Sequence, residues 1–342
     1  MALVIYWYDF ICFAIVAGAI LGSLWVLRRR EGSGTCEDHS AYESLLVAQS
    51  DTEGFAGVTR LRAGHLSSTQ LWTSCWRGLH PVWLLVSRTV SAVVMIGLLL
   101  WDVRRYDASI FVYYTEWTFT LVILYFALGI IASVHGCLMH SKRPWTENDE
   151  NNGYLKSDLE GRNSTSTINL RTHKVRGTIK LQSHHEQDAT EQRAGFWGYL
   201  MQTIFQTCAG AVILTDVVFW FVIVPFLSIQ RFSLNLLMGC MHSFNLVFLL
   251  LDTALNSLPF PWFRLAYFVL WSCLYVIFQW IIHACGFTWW PYPFLELSIP
   301  WAPLWYFGLA VVHIPCYGLY ALIVKIKNAV FSRLFPEAYI RC

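Results

Sequence analysis

The sequence has few charged residues: Asp, Glu, Lys and Arg make up 13% of its 342 residues, whereas 56% are hydrophobic. Soluble globular chains carry about 25% charged residues. The shortage of charge therefore excludes an ordinary soluble domain and predicts a polytopic membrane protein. The formal net charge of +2 is also too small to indicate a nucleic-acid partner.

The ten cysteines lack the spacing of a metal site or of a disulfide framework. There is no Cys-x-x-Cys pair and no His/Cys cluster with the spacing of zinc ligands. Most cysteines fall within apolar runs, where a thiol behaves as a small apolar side chain. We therefore expect neither a metal ion nor a cofactor.

Seven apolar runs have a length close to the roughly 20 helical residues that are needed to cross about 30 Å of hydrocarbon. They lie at about 3–27, 81–101, 111–134, 200–227, 234–256, 265–285 and 302–324. The predicted fold is therefore all-α, a transmembrane helical bundle of about seven spans. The boundaries predict an N-terminal helix at 1–27, a polar loop at 28–80, two helices at 81–138, a polar loop at 139–195, four helices at 196–326 and a tail at 327–342.

The distribution of Lys and Arg predicts the orientation. The first run has no basic residue before it and is followed by Arg28–Arg30, which favours an uncleaved helix with its N-terminus outside or lumenal. The loops 28–80, 139–195 and 257–264 and the C-terminal tail would then be cytosolic and hold nearly all the basic residues. The two long loops lack apolar periodicity and are predicted to be largely disordered. The plasma membrane and the endoplasmic reticulum both fit this pattern.

The fifth apolar run contains a histidine, His242, about eight residues from its start. An ionisable side chain inside a membrane span is costly and is usually functional. Asn245, Asp252 and Asn256 follow at helical spacing, and at about 100° per residue the four side chains share one face. This face is expected to line a polar interior and not to contact lipid.

Polar residues occur in other runs as well, including Asp216 in the fourth, His283 in the sixth and His313 in the seventh. Such residues commonly join helices by hydrogen bonds worth about 0.6–2 kcal/mol. Stripes on several helices also fit a shared pocket or a hydrated path.

Depth selects the residues that could form a site. At 1.5 Å per residue, Thr115 lies about 5 Å and His242 about 12 Å below the predicted outer surface, and His283 lies near that surface. A threonine beside a histidine forms a nucleophile–base pair. Depth therefore allows Thr115 and His242 to meet as such a pair, although spacing alone does not single them out. Asn245, one turn from His242, would orient it, and His283 is the second-choice base.

The connection between the last two runs is rich in aromatic residues and proline. An aromatic belt at the membrane surface explains the aromatic rings. Alternatively, the prolines stiffen the connection into a lid over the site. The residues are Trp289, Trp290, Pro291, Tyr292, Pro293, Pro300, Trp301 and Trp305.

Several stretches resemble the androgen-induced gene family: the segments 239–252, 280–286 and 290–296. Tyr114-Thr115-Glu116-Trp117 is similar to the aromatic context of the family's threonine, and His242 follows a Met as the family's histidine does. Members of that family are integral-membrane hydrolases of fatty acid esters of hydroxy fatty acids. The resemblance implies that Thr115 is the nucleophile and His242 its partner, with membrane lipids and a lipid ester as the partner molecules.

The resemblance covers roughly 81–137 and 196–324 and also includes plant members and the rolling stone proteins of insects. This chain departs from the shorter family members in its first span and its long loops, and Glu116 stands where an apolar residue is expected. Two other functions stay open: a rolling-stone-like structural or adhesion protein, and a small-solute transporter that uses the polar stripes.

Overall fold

The computed structural model describes residues 6–31, 66–142, 194–227 and 236–340. This part of the chain contains seven helices that are long and apolar enough to cross a membrane, so the predicted all-α bundle is confirmed. The predicted disorder of residues 32–65 and 143–193 lies outside the described residues. The helices are α1 (Trp7–Glu31), α2 (Pro81–Tyr106), α3 (Tyr114–Lys142), α4 (Phe196–Val218), α5 (Leu236–Leu255), α6 (Leu265–Ala284) and α7 (Ala302–Leu334).

Successive helices run in opposite directions, so the bundle has two distinct ends. At one end, which we call the cavity end, α2 is joined to α3 and α6 is joined to α7. At the other, the closed end, α5 is joined to α6. The central helix is α4, which packs against α3, α5, α6 and α7. Its apolar segment is 67% buried, against 22–39% for the other six.

Local chemistry explains where helices begin and bend. Pro81 occupies the first turn of α2, where its missing N–H is not needed, and the ring Nδ1 of His80 accepts a hydrogen bond from Val82 N at 3.3 Å. The π-helical turn Phe219–Ile223 follows α4. Pro225, just beyond it, has no N–H for the carbonyl four residues earlier, and the wider turn accommodates this loss.

A buried ion pair joins α2 to α5. Arg88 and Asp252 are both fully buried, and Arg88 Nε donates to Asp252 Oδ1 at 2.8 Å. The Asp252 carboxylate also accepts hydrogen bonds from the hydroxyl of Tyr125 and from Asn256 Nδ2. Arg88 Nη1 donates to Ser133 Oγ at 2.8 Å and to two backbone carbonyls. Asp252 of α5 and Asn256, which directly follows this helix, therefore belong to this cluster and not to the neighbourhood of His242.

The closed end is sealed by two segments outside the membrane helices. Residues 66–80, predicted as part of a disordered loop, pack beneath α5, and Cys75 is fully buried. Cys75 N donates to Leu255 O, and Ile340 N donates to Cys75 O. Lys327 lies in α7, which runs ten residues beyond its predicted end at 324. Its ammonium donates to the carbonyl oxygens of Thr253 and Asn256.

Candidate functional site

Thr115 and His242 line the same two cavities at the cavity end. The larger, which we call the wide cavity, has a volume of about 790 Å³ and lies between α2, α3, α5 and the connection 289–294. The smaller, the narrow pocket, has a volume of about 90 Å³ and extends between α4, α6 and α7. Residues that line both cavities are Thr115, Ile223, His242, Tyr292 and Phe294. The predicted catalytic pair thus lies at the junction of a wide and a narrow space.

Thr115 is the second residue of α3, and its side chain is buried. It hydrogen-bonds Tyr292, which reaches it from the connection between α6 and α7. Burial raises the pKa of the Tyr292 phenol, and its hydrogen bonds to Thr115 and Tyr114 act in the opposite direction. Tyr292 therefore remains a neutral phenol whose oxygen accepts hydrogen bonds from the start of α3.

The imidazole of His242 in α5 is held by ring stacking on the turn that follows α4. Its ring stacks on Phe219 with a centroid distance of 3.6 Å and an interplanar angle of 6°. Phe219 begins the π-helical turn after α4, so this turn positions the surface on which the imidazole rests. Among the described residues, the buried Nδ1 of His242 has no hydrogen-bond partner, and no hydrogen bond joins His242 to Thr115. Catalytic hydrogen bonds are often long before substrate binds, so this geometry does not exclude the pair.

Asp216 of α4 is the acidic residue beside His242. Its Oδ1 lies 3.9 Å from His242 Nδ1. Asn245 Nδ2 is 3.5 Å from the same oxygen, and Asn245 Oδ1 accepts from Leu246 N. Asn245 therefore contacts Asp216 and does not hydrogen-bond His242. The sequence placed Asp216 on a polar face of its span without assigning it to the site.

His283 lies at the cavity end, but it is not among the residues lining either cavity. Its Nδ1 contacts Gln279 O at 2.6 Å, and its Nε2 contacts Trp289 O at 3.1 Å. The ring stacks on Trp290 at 3.6 Å. Its contacts are those of a residue that anchors the 289–294 connection, and the structure does not bring it to Thr115.

A second histidine enters the site from α7. His313 is buried and lines the narrow pocket. Its Nδ1 contacts Leu309 O at 2.6 Å, and its buried Nε2 has no partner among the described residues. The sequence placed His313 on a polar face of the last span, but only the packing of α7 against α4 brings it to this pocket.

The connection 289–294 covers the site with aromatic rings. Tyr113, which precedes α3, makes edge contacts with Trp289 and Tyr292 at centroid distances of 5.8 and 6.1 Å. Pro291, Tyr292, Pro293 and Phe294 all line the wide cavity. The connection therefore forms a wall of the cavity that contains Thr115, and both the belt and the lid stay predictions.

Comparison of the chain with models of known protein families, with curated proteins and with solved structures found no match.

Proposed function

We propose that this multi-pass membrane protein hydrolyses long-chain lipid esters, with Thr115 as the nucleophile and His242 as the base. The observation that carries the proposal is that both side chains line the same two cavities at the point where those cavities meet. The resemblance of residues 239–296 to the androgen-induced gene family supports the same assignment. In this proposal the cavity end faces the outside or the lumen of the plasma membrane or endoplasmic reticulum.

The reaction begins when the Thr115 hydroxyl oxygen attacks the ester carbonyl carbon and His242 takes the hydroxyl proton. The tetrahedral intermediate collapses, the ester C–O bond breaks, and His242 returns the proton to the leaving alcohol. Water then attacks the acyl-threonine with His242 again as the base, which releases the fatty acid and restores Thr115. A threonine hydroxyl is a weak nucleophile without such a base.

Two further residues would support this chemistry. Asp216, 3.9 Å from His242 Nδ1, would orient the imidazole so that its other nitrogen faces the substrate. Tyr292 hydrogen-bonds Thr115 and is held neutral by its raised pKa. Its hydroxyl would donate to the oxygen on which negative charge develops during attack.

The two cavities suit the two parts of an amphiphilic ester. The narrow pocket is walled mainly by apolar side chains such as Leu214, Val218 and Val276, which suit the first few carbons of an acyl chain. The wide cavity also contains Asp102, Ser109 and Glu116 and suits a polar group. The scissile ester would then lie between them, beside Thr115 and His242.

The test is hydrolysis of long-chain lipid esters by the purified protein and its variants in detergent micelles. We expect Thr115→Ala and His242→Ala each to lower kcat/KM by about 10²–10⁴-fold, and the double variant to lose little more. Matched controls are Thr120→Ala and His135→Ala, which alter exposed residues of α3 that line neither cavity. A fluorophosphonate activity probe should label the wild type at Thr115 and leave Thr115→Ala unlabelled.

If Thr115→Ala hydrolyses the ester as fast as the wild type, the threonine mechanism is wrong. If the intact protein cleaves no lipid ester, the hydrolase proposal fails as a whole. The rolling-stone-like structural role and small-solute transport then become the functions to examine.

A further inference from the structure

The wide cavity is lined by two acidic residues, and His242 is the one basic side chain among its described lining residues. Two carboxylates, Asp102 of α2 and Glu116 of α3, line it, and none of its described lining residues is Lys or Arg. Arg105, one turn after Asp102, acts electrostatically on that carboxylate from the exposed end of α2. Among the described residues, the charged group that acts on Glu116 is Asp102, and no basic side chain does so. The wide cavity therefore favours a cation.

Glu116 is buried, and buried carboxylates normally have a hydrogen-bond or ion-pair partner. Glu116 is only 7% exposed, and its Oε2 is buried with no hydrogen-bond partner among the described residues. Buried carboxylates are otherwise paired, hydrogen-bonded or bound to a ligand. The missing partner of Glu116 is most simply a group that enters the cavity it lines.

Seven of the other 16 lining residues are aromatic. They come from α2, from the segment before α3, from the π-helical turn and from the 289–294 connection, and they are Tyr106, Tyr113, Phe219, Trp289, Trp290, Tyr292 and Phe294. An ammonium group is attracted to the faces of such rings, and quaternary ammonium ligands are commonly bound in aromatic cages. Carboxylates combined with aromatic faces therefore point to an organic cation.

A metal ion fits these residues less well. Within the described ranges, no group of three or more His, Cys, Asp or Glu side chains is close enough to hold one. The cavity volume of about 790 Å³ is instead in the range of about 300–1,000 Å³ typical of small-molecule pockets.

We propose that the wide cavity binds the ammonium head group of an amphiphile, with Glu116 as its main counter-ion and Asp102 as a secondary one. The part of this proposal that concerns catalysis rests on the proposed hydrolase function. In that setting the substrate is an ester with an ammonium-bearing alcohol, whose head group lies in the wide cavity and whose acyl chain enters the narrow pocket.

The test measures binding with probes that cannot be hydrolysed, so it does not depend on catalysis. The cationic probe is the decyl ether of choline, and the neutral probe is its carbon isostere, the decyl ether of 3,3-dimethylbutanol. Dissociation constants are measured by equilibrium dialysis on the full chain in a neutral maltoside detergent, because phosphatidylcholine would compete. Choline without an acyl-like chain is the third probe.

We expect the wild type to bind the cationic ether about tenfold more tightly than the neutral isostere. Glu116→Gln should reduce this preference to about twofold or less, and Asp102→Asn should reduce it partly. Glu337→Gln is the matched control, since Glu337 is exposed at the closed end, and it should keep the full preference. The melting temperature of each unliganded variant checks that it is folded.

Equal binding of the two ethers by the wild type would overturn the ammonium site, as would a full preference in both Glu116→Gln and Asp102→Asn. Choline that binds as tightly as its decyl ether would overturn the amphiphile and identify a soluble amine as the ligand. If the cationic ether is preferred through Glu116 but no ester is cleaved, the ammonium site stands and the hydrolase proposal fails.

Discussion

Removing either member of the Arg88–Asp252 pair is expected to destabilise the bundle severely. Both residues are fully buried, and Arg88 donates four hydrogen bonds that reach α3, α5 and the segment before α2. Loss of one partner of a buried ion pair costs about 3–5 kcal/mol, because the other charge is left uncompensated. Hydrogen bonds between neutral groups in membrane helices average only about 0.6 kcal/mol. Four such bonds would total about 2.4 kcal/mol, so the double variant, which removes both charges, is needed to identify the charge as the cause.

The variants Arg88→Met and Asp252→Asn keep the approximate size of each side chain. Asp252→Asn leaves the guanidinium unpaired and should cost about 3–5 kcal/mol. Arg88→Met should cost about 3 kcal/mol, since Tyr125 and Asn256 still donate to the carboxylate. The double variant removes both charges, so its cost should not exceed that of the worse single variant.

The assay is reversible unfolding in mixed micelles with increasing SDS, which yields the free energy of unfolding of each variant. Arg104→Met is the matched control, because Arg104 is exposed near the end of the same helix, and it should change stability by no more than about 0.5 kcal/mol. The reasoning is refuted if either single variant loses less than about 1 kcal/mol, or if the two losses simply add in the double variant.

Three other predictions concern the site, the packing and the orientation. Tyr292→Phe removes the hydroxyl beside Thr115 and should lower kcat for ester hydrolysis by about 10²-fold with little change in KM, so unchanged turnover would exclude its role as a donor. Gly210→Ala would place a Cβ 2.4 Å from the ring of Phe268 and should lower the free energy of unfolding by about 1–3 kcal/mol, whereas Gly97→Ala, with no neighbouring atom within 4 Å, should not. A glycosylation-acceptor tag near residue 170 should stay unmodified in cells, and a glycosylated tag would reverse the predicted orientation.

The membrane helices were predictable because a helix needs about 20 consecutive apolar residues to cross the bilayer, and such a run is visible in the local sequence. Each of the seven predicted runs overlaps an observed helix. The differences lie at the ends, where α7 continues to Leu334 because Lys327 finds carbonyl partners at the closed end. These partners are distant from Lys327 in sequence, so the residues around Lys327 do not indicate them.

The site was predicted in part for a similar reason. Depth along a helix follows from residue number, and it indicated that Thr115 and His242 lie at similar depths; both line a common cavity. Rotation about the helix axis and the identity of the facing helix do not follow from residue number. Asp216 beside His242, and Tyr292 beside Thr115, therefore became evident only from the packing. A signal for Asp216 existed, since it is an ionisable residue within an apolar run.

The order of synthesis gives the Arg88–Asp252 pair a consequence for membrane insertion. Asp252 follows Arg88 by 164 residues, so α2 must enter the bilayer well before its counter-ion has been made. A lone arginine at the centre of a membrane helix costs about 2.5–3.5 kcal/mol on insertion scales. Arg88 is only seven residues from the start of α2, which is about 10 Å along the helix axis. Its long side chain can therefore reach the lipid headgroups until α5 has been inserted. When α5 enters the membrane, Asp252 would draw the guanidinium into the bundle. The Arg88–Asp252 pair would therefore form late in the assembly of the bundle.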